Sequence, residues 1–221
     1  MAHNIIRVSN DILIKNLIRD GYLKAPRIID AFKTVLREDF VPPEIKDRSY
    51  VNSALPIGYG QTISQPLVVA FMLTELGVKE EENILDVGTG SGWVAGLLSY
   101  LVGNRGHVIS IERIRELYEF SCMNLSKYDF VKNGILALIQ GDGSLGYLPL
   151  APYDKIIAAA SGNEVPAAWK EQLKIGGRIV APVDSDILVV DKLDKDKFRE
   201  QKHPGFAFVP LIGGDSSPLQ A

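Results

Sequence analysis

Three groups of residues have the types and spacing to hold a small ligand bearing hydroxyl groups. The first is Asp86-Val87-Gly88-Thr89-Gly90-Ser91-Gly92, where the apolar run Asn83–Val87 passes into glycines and small hydroxylic residues and then into a helical pattern. Small residues there let the backbone approach a ligand closely, and the first turn of the helix offers N–H groups with no partner inside it. The second is Glu112, which closes the next apolar run, His107–Glu112, where α/β nucleotide folds put the acid that binds ribose hydroxyls. An acceptor-only carboxylate can take hydrogen bonds from two neighbouring hydroxyls. The third is Gly141-Asp142-Gly143, after the third apolar run. Each has a plainer reading: a tight strand-to-helix turn, an acid at a helix N-terminus, and a simple turn.

Acid–base machinery is missing. His3, His107 and His203 are scattered, with no nucleophile-and-base constellation around them, and Cys122 sits in a helical stretch as a small apolar residue. No spacing of Cys, His or acidic residues suits a metal.

The elements that hold these residues follow from periodicity. Asn10–Asp20 and a stretch from Pro26 to Leu36 are spaced as helices, residues 41–64 are irregular with several prolines and glycines, and Gln65–Leu76 is helical again. From residue 83 short apolar runs alternate with helical segments. Strands are expected at Asn83–Val87, His107–Glu112, Ile135–Gln140, Lys155–Ala160 and Arg178–Val183, and helices at Gly92–Val102, Arg113–Lys127 and Pro166–Leu173. The residues from Asp142 to Pro152 read as a loop. This is the pattern of a doubly wound, mostly parallel α/β sheet preceded by N-terminal helices. Ile187–Leu193 and Phe206–Leu211, with no helix between them, are expected to form an antiparallel C-terminal strand pair, and the charged stretch Asp191–Lys202 a solvated turn. A single domain is expected over 1–221, with N-terminal helices and a loop in 1–82, an α/β core in 83–183 and C-terminal strands in 184–221.

A chain of 221 residues with a formal charge of −3 and no basic aromatic stripe argues against nucleic acid as a partner. One cysteine permits no internal disulfide, and the N-terminal stretch interleaves charges with apolar residues, so neither a signal peptide nor a membrane span is expected and the cytoplasm is the expected location. A monomer is expected.

A dinucleotide loop of the G-x-G-x-x-G type would need a third glycine where Trp93 stands. The observed G-x-G-x-G after Asp86 instead resembles the signature of class I S-adenosylmethionine-dependent methyltransferases. Within that class, Leu55-Pro56-Ile57-Gly58-Tyr59-Gly60-Gln61-Thr62-Ile63-Ser64-Gln65-Pro66 resembles a stretch diagnostic of the protein-L-isoaspartate (D-aspartate) O-methyltransferase family. Gly141-Asp142-Gly143, the run Pro152–Ile157, the run Gln172–Arg178 and Phe208-Val209-Pro210-Leu211 follow in the family's order. The resemblance spans roughly residues 10 to 214.

The resemblance implies S-adenosyl-L-methionine as methyl donor, S-adenosyl-L-homocysteine as product, and the carboxylate of an L-isoaspartyl or D-aspartyl residue in a damaged protein or peptide as acceptor. The ester then closes to a succinimide, which initiates repair. It implies cofactor contacts at Asp86, Gly88, Thr89, Gly90, Ser91, Gly92, Glu112, Arg113, Asp142 and Gly143. Ser64 becomes the residue that orients the acceptor, with Pro56, Ile57, Thr62 and Ile63 beside it and Val209, Pro210 and Leu211 as the opposite wall. Ser64 could equally cap the following helix, and Val209-Pro210-Leu211 could be an edge strand ended by proline. The chain departs from the family at Asn52, where an acid is common, at Leu67, at Ser161-Gly162-Asn163, and in a tail, residues 214–218, that lacks a closing aromatic. Another class I methyltransferase and a non-catalytic nucleotide-binding module are the competing functions.

Overall fold

Ser9 accepts the Ile12 N–H and starts helix α1 (Asn10–Arg19), whose Leu13, Ile14 and Leu17 are buried; α2 (Pro26–Thr34), with proline at its first position, buries Ile28, Ala31 and Phe32. The computed structural model describes residues 9–213. His3 and the departure in the tail at 214–218 lie outside them. Two short 3₁₀ turns, Arg37–Phe40 and Pro43–Arg48, lead into a hairpin of β1 (Leu55–Gly58) and β2 (Gln61–Ile63), where the sequence suggested only irregular chain. Helix α3 (Pro66–Leu76) follows.

The alternating region builds β3 (Asn83–Val87), α4 (Trp93–Val102), β4 (His107–Glu112), α5 (Arg115–Leu125), β5 (Leu136–Gln140), β6 (Tyr153–Ala158), α6 (Ala167–Gln172) and β7 (Leu173–Val183), as expected apart from element ends. The sheet has seven strands in the order β5-β4-β3-β6-β7-β8-β9, the last two being β8 (Asp186–Asp194) and β9 (Lys197–Pro204). The first five run parallel and the last two pair antiparallel.

Side chains of successive strand residues enter opposite layers. Ile84, Val108, Ile157 and Val180 join the core under α1 to α5, while Leu85, Ile109, Ile156 and Ile179 join the core that contains Trp169 of α6. Burial on both faces is why these strands read as unbroken apolar runs.

The C-terminal strand pair is real but its second member was misplaced. Ile187–Leu193 lies in β8, yet its C-terminal partner is β9, most of which falls in the stretch Asp191–Lys202 expected to be a solvated turn. β9 is an edge strand whose residues are mostly exposed, so no alternation marks it. Phe206–Leu211 is not a strand; a single bridge from Pro210 to Ser161 ties it down. No helix among the described residues is long and apolar enough to cross a membrane.

Candidate active site

Strand order reverses between β3 and β6: the chain goes outward through β4 and β5, then returns to the other side of β3. A ligand crevice opens at the carboxyl ends of the strands at such a point. Gly88, Gly90, Glu112, Arg113 and Gly143 line a cleft there, and Ile111, Ile114, Leu117 and Leu211 give it apolar walls.

Glu112, at the end of β4, is only 6% exposed and works with both oxygens. One accepts the Gly90 N–H at 2.8 Å and the other the Ile114 N–H at 2.9 Å, just before α5. The readings of Glu112 as ligand acid and as helix-start acid are therefore compatible, since a carboxylate has about four lone-pair sites. Gly90 has φ +54°, a left-handed conformation that an L side chain seldom takes, and the tip of Ile57 lies 3.5 Å from where a Cβ would stand. Gly143 is glycine for space: a Cβ would stand 2.6 Å from Val87 Cγ1.

Other residues expected around the cofactor sit behind the wall. Asp86 is fully buried; the Ser110 hydroxyl donates to Asp86 Oδ2 at 2.7 Å and lies 2.6 Å from Thr89 Oγ1. Burial pushes the Asp86 carboxyl up to about 7, opposed by the Ser110 hydrogen bond and aided by the nearby charge of Glu112. Thr89, Ser91 and Gly92 likewise form the body of the loop, Ser91 through its carbonyl, which accepts from buried Asn124. Asp142 accepts from the Ser144 backbone N–H and hydroxyl and pairs with Arg113 at 3.1 Å, fixing the turn that presents Gly143.

A second cleft adjoins the first. Tyr22, Ser64, Gln65, Leu67, Val68, Phe206 and Phe208 line it, and Thr62, Ala159 and Val209 line both clefts. No side chain lining this second cleft carries a formal charge, and no histidine is among them. Of the residues expected here, Thr62, Ser64 and Val209 are in place. Ile57 and Ile63 are not, because the alternation of the hairpin turns them into the core at 5% and 4% exposure, and Pro56, exposed beside its cross-strand partner Thr62, is not among the residues that line it. Pro210 and Leu211 face the first cleft rather than the second. The departure at Ser161 is used structurally: its N–H and carbonyl hold Val209 and Leu211 at 2.8 and 2.7 Å, and its hydroxyl donates to the Asp184 carbonyl.

The helix-cap reading of Ser64 does not survive. Helix α3 has Gln65 at its N-cap with no side-chain bond, and it is Asn52 Oδ1 that accepts from the first turn, at the Leu67 N–H. Ser64 Oγ makes no hydrogen bond among the described residues. Sequence reasoning missed Tyr22, Ala159, Phe206 and Phe208, because small and aromatic residues in loops carry no local signal of what they face.

Comparison with known proteins gives concordant matches. The family model for protein-L-isoaspartate(D-aspartate) O-methyltransferase matches residues 8–216. A Methanopyrus kandleri protein-L-isoaspartate O-methyltransferase is 43% identical over 216 residues, covering 95% of this chain and 93% of its own. A Methanothrix thermoacetophila protein of the same name is 46% identical over 190 residues, 85% of this chain and 88% of its own. Among solved structures, a Plasmodium falciparum chain described as this enzyme, in complex with S-adenosyl-L-homocysteine, superposes with TM-score 0.85 at 22% identity over 93% of this chain and 99% of that one. Another protein-L-isoaspartate O-methyltransferase superposes with TM-score 0.82 at 26% identity over 94% and 67%.

Proposed function

The chain belongs to the protein-L-isoaspartate (D-aspartate) O-methyltransferase family, and we propose how its two clefts divide the reaction between them. The enzyme methylates the free carboxylate of L-isoaspartyl residues in damaged proteins with S-adenosyl-L-methionine as donor, which starts repair. The first cleft is the donor site and the second the acceptor site. The observation that supports this division is their shared wall of Thr62, Ala159 and Val209, the single place where groups bound in both could meet.

The residues present fit the donor. Gly90 offers bare backbone, the Glu112 oxygens have capacity left for ribose hydroxyls, and Ile111, Ile114 and Leu117 form an apolar surface suited to the adenine ring. When bound, S-adenosylmethionine supplies a methyl group on a cationic sulfur, which a carboxylate oxygen takes with its own electron pair, leaving a neutral thioether. The chain's task is orientation. The free carboxyl of an isoaspartyl residue is its α-carboxyl, which with an ordinary pKa of about 3.5 is already ionised at neutral pH, so no base is required, in keeping with a second cleft without histidine. The unengaged Ser64 hydroxyl donates to the acceptor carboxylate and aims it at the shared wall.

A monomer as the working form, one domain carrying both clefts and a cytoplasmic site of action complete this reading, and the formal charge of −3 favours a protein over a nucleic-acid acceptor. The test compares methyl incorporation into one peptide in its L-isoaspartyl and L-aspartyl forms. Rapid methylation of the first and none of the second is expected; equal rates would replace repair by a broader carboxyl methylation.

A further inference from the structure

Arg37 is the least expected residue in the fold: a guanidinium 1% exposed with no carboxylate within ion-pair distance among the described residues. Its partners are backbone carbonyls. It donates to Ser49, to Ser53 at 3.1 Å, to Ile63 at 3.4 Å and to Ser64 at 3.1 Å. These acceptors bracket the irregular chain and the β1–β2 hairpin, so one planar fork gathers both ends of the segment that lines the acceptor cleft. The guanidinium carbon also lies 5.4 Å from the ring centroid of Trp93, the first residue of α4, directly after the glycine loop. Trp93 in turn donates to the Val35 carbonyl at 3.2 Å, close to Arg37 in the chain.

We propose that Arg37 is a positioning residue that fixes Ser64 and its loop against the start of α4, and so holds the acceptor cleft in register with the donor cleft. This rests on the division of the clefts proposed above. Its charge has a second use. No side chain lining the acceptor cleft carries a formal charge although its ligand is an anion, and the Arg37 fork stands one carbonyl behind Ser64. Burial lowers the pKa of Arg37, but a guanidinium starts so high that it remains a cation at neutral pH.

The test uses the full chain with Arg37→Met, which keeps an apolar stem and removes fork and charge, and Arg37→Lys, which keeps the charge. Three experiments are run: KM and kcat for an L-isoaspartyl peptide, the Kd of S-adenosylhomocysteine by calorimetry, and amide hydrogen exchange along the chain. For Arg37→Met, peptide kcat/KM should fall at least about tenfold (about 1.4 kcal/mol at 25 °C) while the S-adenosylhomocysteine Kd stays within about twofold. Exchange should accelerate in residues 49–64 and remain unchanged in β3, β4 and β6. Arg37→Lys should fall between wild type and Arg37→Met, because an ammonium keeps the charge but cannot span these carbonyls, and it stands in if Arg37→Met does not fold. Wild-type kinetics in the folded variants, or exchange that accelerates everywhere alike, would overturn the proposal. If the wild-type protein ignored the isoaspartyl peptide, the acceptor assignment would fall, and the exchange pattern would still decide whether Arg37 holds this loop.

Discussion

Asn52 Oδ1 accepts the Leu67 backbone N–H at 3.0 Å, satisfying the first turn of a helix that begins fourteen residues further along the chain. That contact separates two roles that the sequence around Ser64 leaves entangled, capping and chemistry. Removing a cap costs about 0.5–2 kcal/mol, or a few degrees of Tm in a chain of this size. Asn52→Ala should therefore lower Tm by about 2–6 °C, whereas Ser64→Ala should leave Tm within about a degree and reduce kcat at least about tenfold with donor affinity intact. A Ser64→Ala protein that melts early with full turnover would return the serine to the cap.

Glu112 joins the glycine loop to the end of β4 through Gly90. Glu112→Ala removes both the acceptor for ribose hydroxyls and the anchor of the Gly90 amide, so calorimetry should show S-adenosylhomocysteine binding weakened at least about tenfold, about 1.4 kcal/mol. Glu112→Gln keeps an acceptor and should lose less. Affinity unchanged in Glu112→Ala would exclude the residue from the donor site.

Asp86 should make stability depend on pH in a direction opposite to that of a salt-bridged acid. Its folded pKa of about 7 lies above its ordinary value of 3.8, so between these values the unfolded chain releases a proton that the native chain retains. This group's effect on stability is nil below that window, grows more unfavourable as pH rises through it, and is complete above it. Asp86→Asn removes the effect. In urea unfolding, the stability of Asp86→Asn relative to wild type should improve from about pH 5 to about pH 8; an unchanged difference would mean that Asp86 is an ordinary carboxylate.

Gly143→Ala tests close approach rather than conformation. The new methyl would stand 2.6 Å from Cγ1 of Val87, a β-branched residue buried at the end of β3. Overpacking of this kind costs about 1–3 kcal/mol, and because Gly143 also lines the donor cleft, S-adenosylhomocysteine affinity should fall with stability. A variant as stable and as tightly binding as wild type would show that the turn has slack.

The residues that line the first cleft, the proposed donor site, could be picked out because they are local. An apolar run, glycines at fixed offsets and an acid at the next strand end all lie within about thirty residues, the size of a βαβ unit. The residues expected at the proposed acceptor site were drawn only from resemblance, and of them Thr62, Ser64 and Val209 line the second cleft. Ile57 and Ile63 belong to the diagnostic stretch, but the two-residue period of a hairpin sends them inward and leaves Thr62 on the cleft. The Gly58-Tyr59-Gly60 turn, with positive φ at all three positions, was the missed sign of that hairpin. Arg37 could not be read from its neighbours, since its partners are main-chain carbonyls 12 to 27 residues downstream. Asn52 and Ser161 looked like departures because their use, bonding to backbone across the fold, does not show as a motif.

β9 has a consequence for the protein in crowded solution. As the outer strand of an open sheet it has, among the described residues, no strand on its far side, and such an edge is the surface on which sheets of separate molecules join. Its sequence, Lys197-Phe198-Arg199-Glu200-Gln201-Lys202-His203-Pro204, places charges along that rim and ends in a residue that has no N–H to donate. The charge-rich stretch thus deters the joining of this rim to the sheet edge of another molecule.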